Sequence, residues 1–352
     1  LISPVWQIHA STSEIKDDNQ KKYTLQYYLD MARQLEDEGA HMLAIKDMAG
    51  LLKPYSAELL VSELKKAVDL PIHLHTHDTS SIQSAMYLKA IEAGVDIVDV
   101  SLASMSGLTS QPNFNSLVAS LNYHERGREM NLASLNEHAT YFEDVREYYY
   151  PFESGLKAGT AEVYDHEIPG GQYSNLRPQA IALGLEHKFE TIKKNYEIVN
   201  GLFGDIVKVT PSSKVVGDMA MFMTANDLSA EDIFENGESL SFPESVIGFF
   251  KGELGQPHGG FPAEISKLIL KNQKPLTGRA NDNMDPVDFE KEFVAFQGEY
   301  PESDFEDFLS FKLYPKVFKE YYQHKEDYDE VSHLPTPVFF YGMKPGEEIM
   351  VE

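Results

Sequence analysis

Four times between residues 1 and 120 the chain repeats one unit: a short apolar run, a turn, and an amphipathic helical stretch. The runs lie at 4–10, 41–48, 71–77 and 95–103. Between them, residues 23–38 place Leu25, Tyr28, Leu29, Ala32 and Leu35 three and four apart on one stripe. Residues 56–68 do the same with Leu59, Leu60, Leu64 and Ala67, and residues 81–93 with Ile82, Ala85, Met86, Ala90 and Ala93. Gly39, Asp69 and Gly94 mark the helix ends. Strands alternating with helices in this rhythm predict consecutive βα units in a parallel sheet, which excludes all-helical and all-β folds.

After residue 120 the rhythm stops. Residues 137–235 are helical in pattern, broken at Pro151, Pro169-Gly170-Gly171, Gly201 and Pro211. Residues 236–330 carry more polar helix, including 286–296 and 304–324. Residues 335–352 read as a new β unit, with a turn at Lys344-Pro345-Gly346. Four βα units suit an open sheet; a (β/α)8 barrel takes eight. Both ends of the chain read as cut.

Composition narrows the partners. A length of 352 residues allows about two domains. Thirty basic against 56 acidic residues give −26, which disfavours nucleic acid and anionic membrane surfaces. The absence of cysteine excludes disulfides, a thiolate nucleophile and cysteine-ligated zinc. No apolar run reaches the length of a membrane helix, and the N-terminus has no signal pattern, so the expectation is a cytoplasmic protein.

The strongest chemical signal is Pro71-Ile-His-Leu-His-Thr-His-Asp-Thr79. Side chains alternate along a strand, so His73, His75 and His77 share one face. Imidazoles two apart at the C-terminal end of a parallel strand can hold one divalent ion, Zn²⁺ or Mn²⁺. His75 and His77 lie nearest the strand end and are taken as ligands, with His73 as a support or filler. The plainer alternative is three core histidines bonded to neighbours. One strand upstream, Lys46 follows an apolar run and is expected to point into a desolvated interior. It has three possible fates: a Schiff base, a carbamate that ligates the metal, or an ion pair with Asp47 or another carboxylate. A third cluster, 204–218, places Thr210, Ser212 and Ser213 on a proline-broken turn entering a helix. Either it binds an anion there, or Ser212 or Ser213 caps the helix. The loop 104–113 is a further small polar candidate or an ordinary βα loop.

At these clusters the chain resembles the carboxyltransferase domain of biotin-dependent pyruvate carboxylases. The resemblance rests on IKDMAGLLKP (45–54), LPIHLHTHDTS (70–80), ASMSGLTSQPN (103–113), PGGQYSN (169–175), FGDIVKVTPSSKVVGDMA (203–220), FPESV (242–246) and GQP (255–257), in the same order over nearly the whole chain. It implies an α/β fold: the C-terminal part of a (β/α)8 TIM barrel, about four βα units, followed by a mostly helical extension. It divides the chain into 1–136 as partial barrel, 137–330 as helical extension, and 331–352 as the start of a tetramerisation or allosteric domain. By motif, Lys46 resembles the carboxylated lysine, a catalytic residue and metal ligand, and His75 and His77 resemble the histidine ligands. Thr210 resembles the hydroxyl that shuttles a proton between biotin and pyruvate, and Ser213 falls in the biotin pocket.

The implied reaction moves a carboxyl group from carboxybiotin to pyruvate, giving oxaloacetate. The implied cofactors are a divalent metal (Zn²⁺ or Mn²⁺), biotin carried on a separate domain, and ATP used by another domain. The implied partners are pyruvate, a carboxybiotin domain, a biotin carboxylase domain, and further copies of the chain in dimers and tetramers. Cyclic di-AMP is also implied, through Tyr28 and Tyr55 at an interface. Several family features have no counterpart here: the early strands with an aspartate ligand and pyruvate-binding arginine and glutamine, and a Met-Lys-Met biotin site. The expectation is therefore a piece of a multidomain enzyme, inactive in isolation. The alternatives are a decarboxylase or transcarboxylase subunit, a Schiff-base aldolase using Lys46, and a non-catalytic assembly module.

Overall fold

A computed structural model describes residues 5–9, 21–153, 155–328, 331 and 333–342. The chain divides into two compact units, Leu1–Ala280 and Asn281–Glu352.

In the first unit the four apolar runs become strands β1 (Val5–His9), β2 (Met42–Asp47), β3 (Ile72–Thr76) and β4 (Ile97–Val98). They lie in the order β1-β2-β3-β4, each pairing in parallel with the next. The connecting helices are α1 (Leu25–Asp37), α2 (Pro54–Ala67) and α3 (Gln83–Glu92). Their starts have local causes. The Thr24 hydroxyl accepts from Tyr27 N at 3.2 Å ahead of α1, and Pro54 occupies the first position of α2, where no N–H is needed.

Helices cover one face of the sheet. Leu43, Ile45, Ile72 and Leu74 pack there with Tyr28, Leu60, Leu64, Met86 and Tyr87, all buried. Each such side chain contributes roughly 1.5–3 kcal/mol by leaving water. The alternate residues, Ala44 and Lys46 on β2 and His73 and His75 on β3, face the other way. The strand expected over 95–103 is cut to two residues. Beyond it the Asp99 carbonyl accepts the Tyr87 hydroxyl at 2.7 Å, and Ser101 turns to bridge Asn113.

Helices α4 (Phe114–Ser120), α5 (Leu132–Tyr148), α6 (Val163–His166), α7 (Gly170–Ala182), α8 (Phe189–Leu202), α9 (Ser212–Ala225), α10 (Ala230–Asn236), α11 (Glu244–Lys251) and α12 (Ala263–Leu270) follow. From α7 onward they share a second core, with Leu176, Tyr196, Val199, Phe203, Val216, Met219 and Phe250 fully buried.

In the second unit α13 (Phe289–Glu299), α14 (Phe305–Leu313) and α15 (Pro315–Tyr328) share an aromatic cluster of Phe296, Tyr300, Phe308 and Phe318, and α16 (Thr336–Tyr341) follows. Pro315 splits the single helix expected over 304–324 by starting α15. The β unit expected from 335 onward does not form over 335–342. Residues Thr336–Tyr341 form a helix, because Pro335 at the cap and Pro337 in the first turn suit a helix start and cannot donate to a strand ladder. The rest of that expectation, 343–352, lies outside the described residues. Among the described residues, no helix is long and apolar enough to cross a membrane.

Candidate functional site

The parallel register sets Lys46 of β2 directly beside His75 of β3, on the sheet face away from the helices. His77, just past the end of β3, completes a row with His73 and His75, and its ring meets that of His75 edge-on. The chain supplies a carboxylate that the sequence reading passed over. Asp99, one residue beyond β4, bonds to His73 Nε2 through one oxygen and to His75 Nδ1 through the other, both at 2.7 Å.

These bonds decide which nitrogens are free. His77 Nδ1 lies 2.6 Å from the carbonyl of Thr109, which can only accept, so Nδ1 carries the proton. His75 Nδ1 faces a carboxylate and donates likewise. Both Nε2 atoms are therefore left as lone-pair donors, and they face each other at 3.2 Å. Two lone pairs at that distance repel unless a cation lies between them. Nitrogens about 2.0–2.1 Å from one ion at a tetrahedral angle would sit about 3.3 Å apart. Burial also holds the His75 ring below the usual histidine pKa and pushes His77 down to about 4, so both are neutral near pH 7. Burial works against the Asp99 carboxylate, yet the bonds from His73 and His75 keep it below the usual carboxylate range. A divalent metal fits this donor set, with Lys46 alongside. No cluster of three or more His, Asp or Glu suited to a metal occurs among the described residues.

Lys46 is half-buried and makes no ion pair with Asp47. The expected pairing fails because neighbours on a strand point to opposite faces. Asp47 is fully buried on the helix side, where its carboxylate accepts from Leu51 N at 2.7 Å, Leu52 N at 3.1 Å and the Thr76 hydroxyl at 2.7 Å. Burial raises its pKa to about 6 despite these bonds.

The start of helix α7 closes over His77. Gly170 N donates to the carbonyl of Met48 at 2.9 Å, and the Ser174 hydroxyl donates to Thr109 Oγ1 at 2.9 Å. A Cβ on Gly170 would lie 2.6 Å from His77 Nδ1 and 2.8 Å from the Thr109 carbonyl, so only glycine allows this approach. On the same helix, Gln172 packs against Gly217 of α9.

Thr210 is exposed in the turn before α9, and Ser213 is buried in the first turn of that helix. Neither serine caps α9. The Ser212 hydroxyl instead braces the turn, donating to the carbonyls of Val207 at 2.6 Å and Val209 at 2.7 Å and accepting from Val209 N at 3.1 Å. Tyr55 is 65% exposed, but Tyr28 is buried in the helix–sheet core and has no surface to stack on a nucleotide. The pair suggested for cyclic di-AMP is therefore not a surface pair.

The sequence assigns Asp99 no role, and it offers Thr109 and Gly170 only as members of a polar loop and of a Pro-Gly-Gly break. Asp99 left one trace, a carboxylate between Val98 and Val100, which needs a partner when half-buried but does not say which.

The comparisons with known proteins agree along the chain. Residues 10–141 match the family described as HMGL-like, and residues 163–352 match the family described as conserved carboxylase domain. The pyruvate carboxylase of Bacillus subtilis (strain 168) is 53% identical over 342 residues, which is 97% of this chain and 30% of that protein. The carboxyl transferase domain from Rhizobium etli pyruvate carboxylase, solved with pyruvate, superposes with a TM-score of 0.93 at 45% identity, over 98% of this chain and 58% of that one. The same domain solved with pyruvate and biocytin also gives 0.93 at 45% identity, over 97% of this chain and 58% of that one. The α/β fold with consecutive parallel strands is the one these structures share with the chain. The match over 163–352 covers more than half of its length, and the chain belongs to the conserved carboxylase domain family.

Proposed function

We propose that this chain supplies part of a carboxyltransferase site, as a fragment of an enzyme that moves a carboxyl group from carboxybiotin to pyruvate, giving oxaloacetate. The observation that carries the reading is the pair of unprotonated Nε2 atoms of His75 and His77 beside Lys46. The Rhizobium etli domain solved with pyruvate and biocytin supports the choice of substrates. In this reading 1–136 is the barrel part, 137–330 its helical extension, and 331–352 the start of an assembly domain. Biotin is carried and charged at the expense of ATP on other domains, in an enzyme that assembles from several copies.

His75 and His77 would hold a divalent ion, Zn²⁺ or Mn²⁺, with Lys46 as its carbamate adding an anionic oxygen. The ion would supply Lewis-acid polarisation of a carbonyl oxygen. The chain's own groups hold the rings and offer a proton carrier. Asp99 and the Thr109 carbonyl keep the two rings in the ligating tautomer. Thr210 offers a hydroxyl that can both give and accept a proton, as transfer between a biotin nitrogen and the pyruvate methyl carbon requires. That role needs it within about 2.6–3.2 Å of its partners in the substrate complex. Ser213 lines the biotin pocket.

The test uses the intact polypeptide, assayed for pyruvate carboxylation and for metal content. His75→Ala and His77→Ala should each lose metal and turnover together. Thr210→Ala should keep its metal and lose at least about a hundredfold in kcat, the scale of positioned proton transfer. Full metal content in both histidine variants, or normal turnover without Thr210, would overturn the reading.

A further inference from the structure

The segment carrying Thr210 is braced at three levels, and only two of them are ordinary backbone ties. At its start, Lys22 Nζ donates to the carbonyls of Gly204 at 2.6 Å and Asp205 at 2.7 Å, and the Tyr23 hydroxyl donates to the same Asp205 carbonyl at 2.7 Å. At its end, the Ser212 hydroxyl gathers Val207 and Val209. Between them, Lys208 is buried, its side chain 2% exposed, and its Nζ lies 2.8 Å from Glu167 Oε2 and 3.6 Å from Asp205 Oδ1. Val207, next to it, packs against the core of the sheet.

Glu167 stands at the far end of this contact in a costly conformation. It ends α6 in the left-handed region at φ 52°, which a non-glycine residue enters only where its surroundings hold it. From there the chain runs through buried Ile168 and the cap Pro169 to Gly170, the residue that rests on His77. The ion pair is therefore a rung between two segments. One leads within two residues to Thr210, and the other within three to the glycine seated on the histidine ring.

As a stability device the pair is a poor choice. Taking charges out of water is costly, and apolar side chains of similar volume often serve as well or better. What an ion pair adds is a defined direction, because a buried ammonium must meet its acceptors.

We propose that Lys208 and Glu167 are positioning residues for carboxyl transfer. Their ion pair sets the Thr210 turn against the Gly170 end of α7, and so fixes where the Thr210 hydroxyl stands relative to the histidine face. The proposal rests on the proton-transfer role given to Thr210 above.

The test again uses the intact polypeptide. The double variant Lys208→Met/Glu167→Gln removes the pair without leaving a buried charge alone. Its kcat should fall about 10- to 100-fold, the scale of an ångström-level misplacement. The KM for pyruvate, the metal content and the melting temperature should stay near wild type. Added to Thr210→Ala, the same two substitutions should cost nothing further in the residual rate, since residues acting through one group are not additive. An unchanged kcat in the double variant, or a full extra loss in the Thr210→Ala background, overturns the proposal. If Thr210→Ala itself turns over normally, the reading of Thr210 fails and the positioning role falls with it. If Thr210→Ala loses turnover while the double variant keeps the wild-type kcat, the positioning role alone fails. Should the double variant not fold, Glu167→Asp decides. It keeps the charge and shortens the reach, so a drop in kcat with metal content and melting temperature unchanged supports the pair, and an unchanged kcat overturns it.

Discussion

Asp99 shows how much of the histidine row depends on a residue that orients its rings. Its two oxygens are both spent on imidazoles, and its own backbone is fixed from both sides. Its N–H donates to the Leu74 carbonyl at 3.1 Å, and its carbonyl accepts the fully buried Tyr87 hydroxyl at 2.7 Å. Removing the carboxylate frees His75 to rotate and to place its proton on either nitrogen. Asp99→Ala should therefore weaken metal binding by about 10- to 100-fold, as loss of such an outer partner commonly does. Competition against a chelator of known affinity measures this, and an affinity equal to wild type would remove Asp99 from the site. The histidine row itself is legible in the sequence because alternation along a strand is a local property. Asp99 is not, because its partners are on the neighbouring strand, and pairing register has no signature within a single strand.

At the level of elements, the helices and the first three strands follow from periodicity, since each buries one continuous stripe. The sequence expectation fails where tertiary contacts decide. The fourth strand stops at Val98 because Asp99 and Ser101 have better partners elsewhere. The final aromatic run folds as a helix because two prolines start one. The seating of α7 is likewise invisible in a Pro-Gly-Gly triplet, which reads as a break. Gly170→Ala tests that seating. The new Cβ would meet His77 Nδ1 at 2.6 Å, so either the ring turns or the helix backs away. Metal retention should fall about tenfold, with a stability loss of about 1–3 kcal/mol from the overpacking. Normal metal content in a stable variant would show that α7 does not bear on the ring.

For the whole molecule, a buried histidine away from the histidine row, His166, contributes to acid sensitivity. Burial, reinforced by Lys193, lowers the pKa of His166 from 6.5 to about 4. Its Nδ1 accepts from Ile168 N at 3.0 Å, which also requires the unprotonated ring nitrogen. An unfolded histidine takes up its proton near 6.5, so between about 6.5 and 4 the unfolded state binds the extra proton. Stability therefore falls as the pH falls through that window. At pH 5 the contribution of this one residue is about 2 kcal/mol. His166→Asn keeps an acceptor and cannot titrate. Urea unfolding should show its loss from pH 7 to pH 5 to be smaller than that of wild type by about that amount. Equal losses in the two proteins would mean that other groups carry the acid sensitivity.

The alternation of β3 has one further consequence. Lys46 meets His75 in a single alignment of β2 with β3. A shift of one position turns every imidazole toward the helices. A shift of two keeps the face but sets Lys46 against His73 or His77. Mutual threading of β3 and β4 is held to the same standard, because Asp99 spans His73 and His75 only where His73 stands opposite Ile97. The constellation thus acts as a key cut across three strands: a misthreaded sheet could bury the same leucines and isoleucines, but it could not close these contacts.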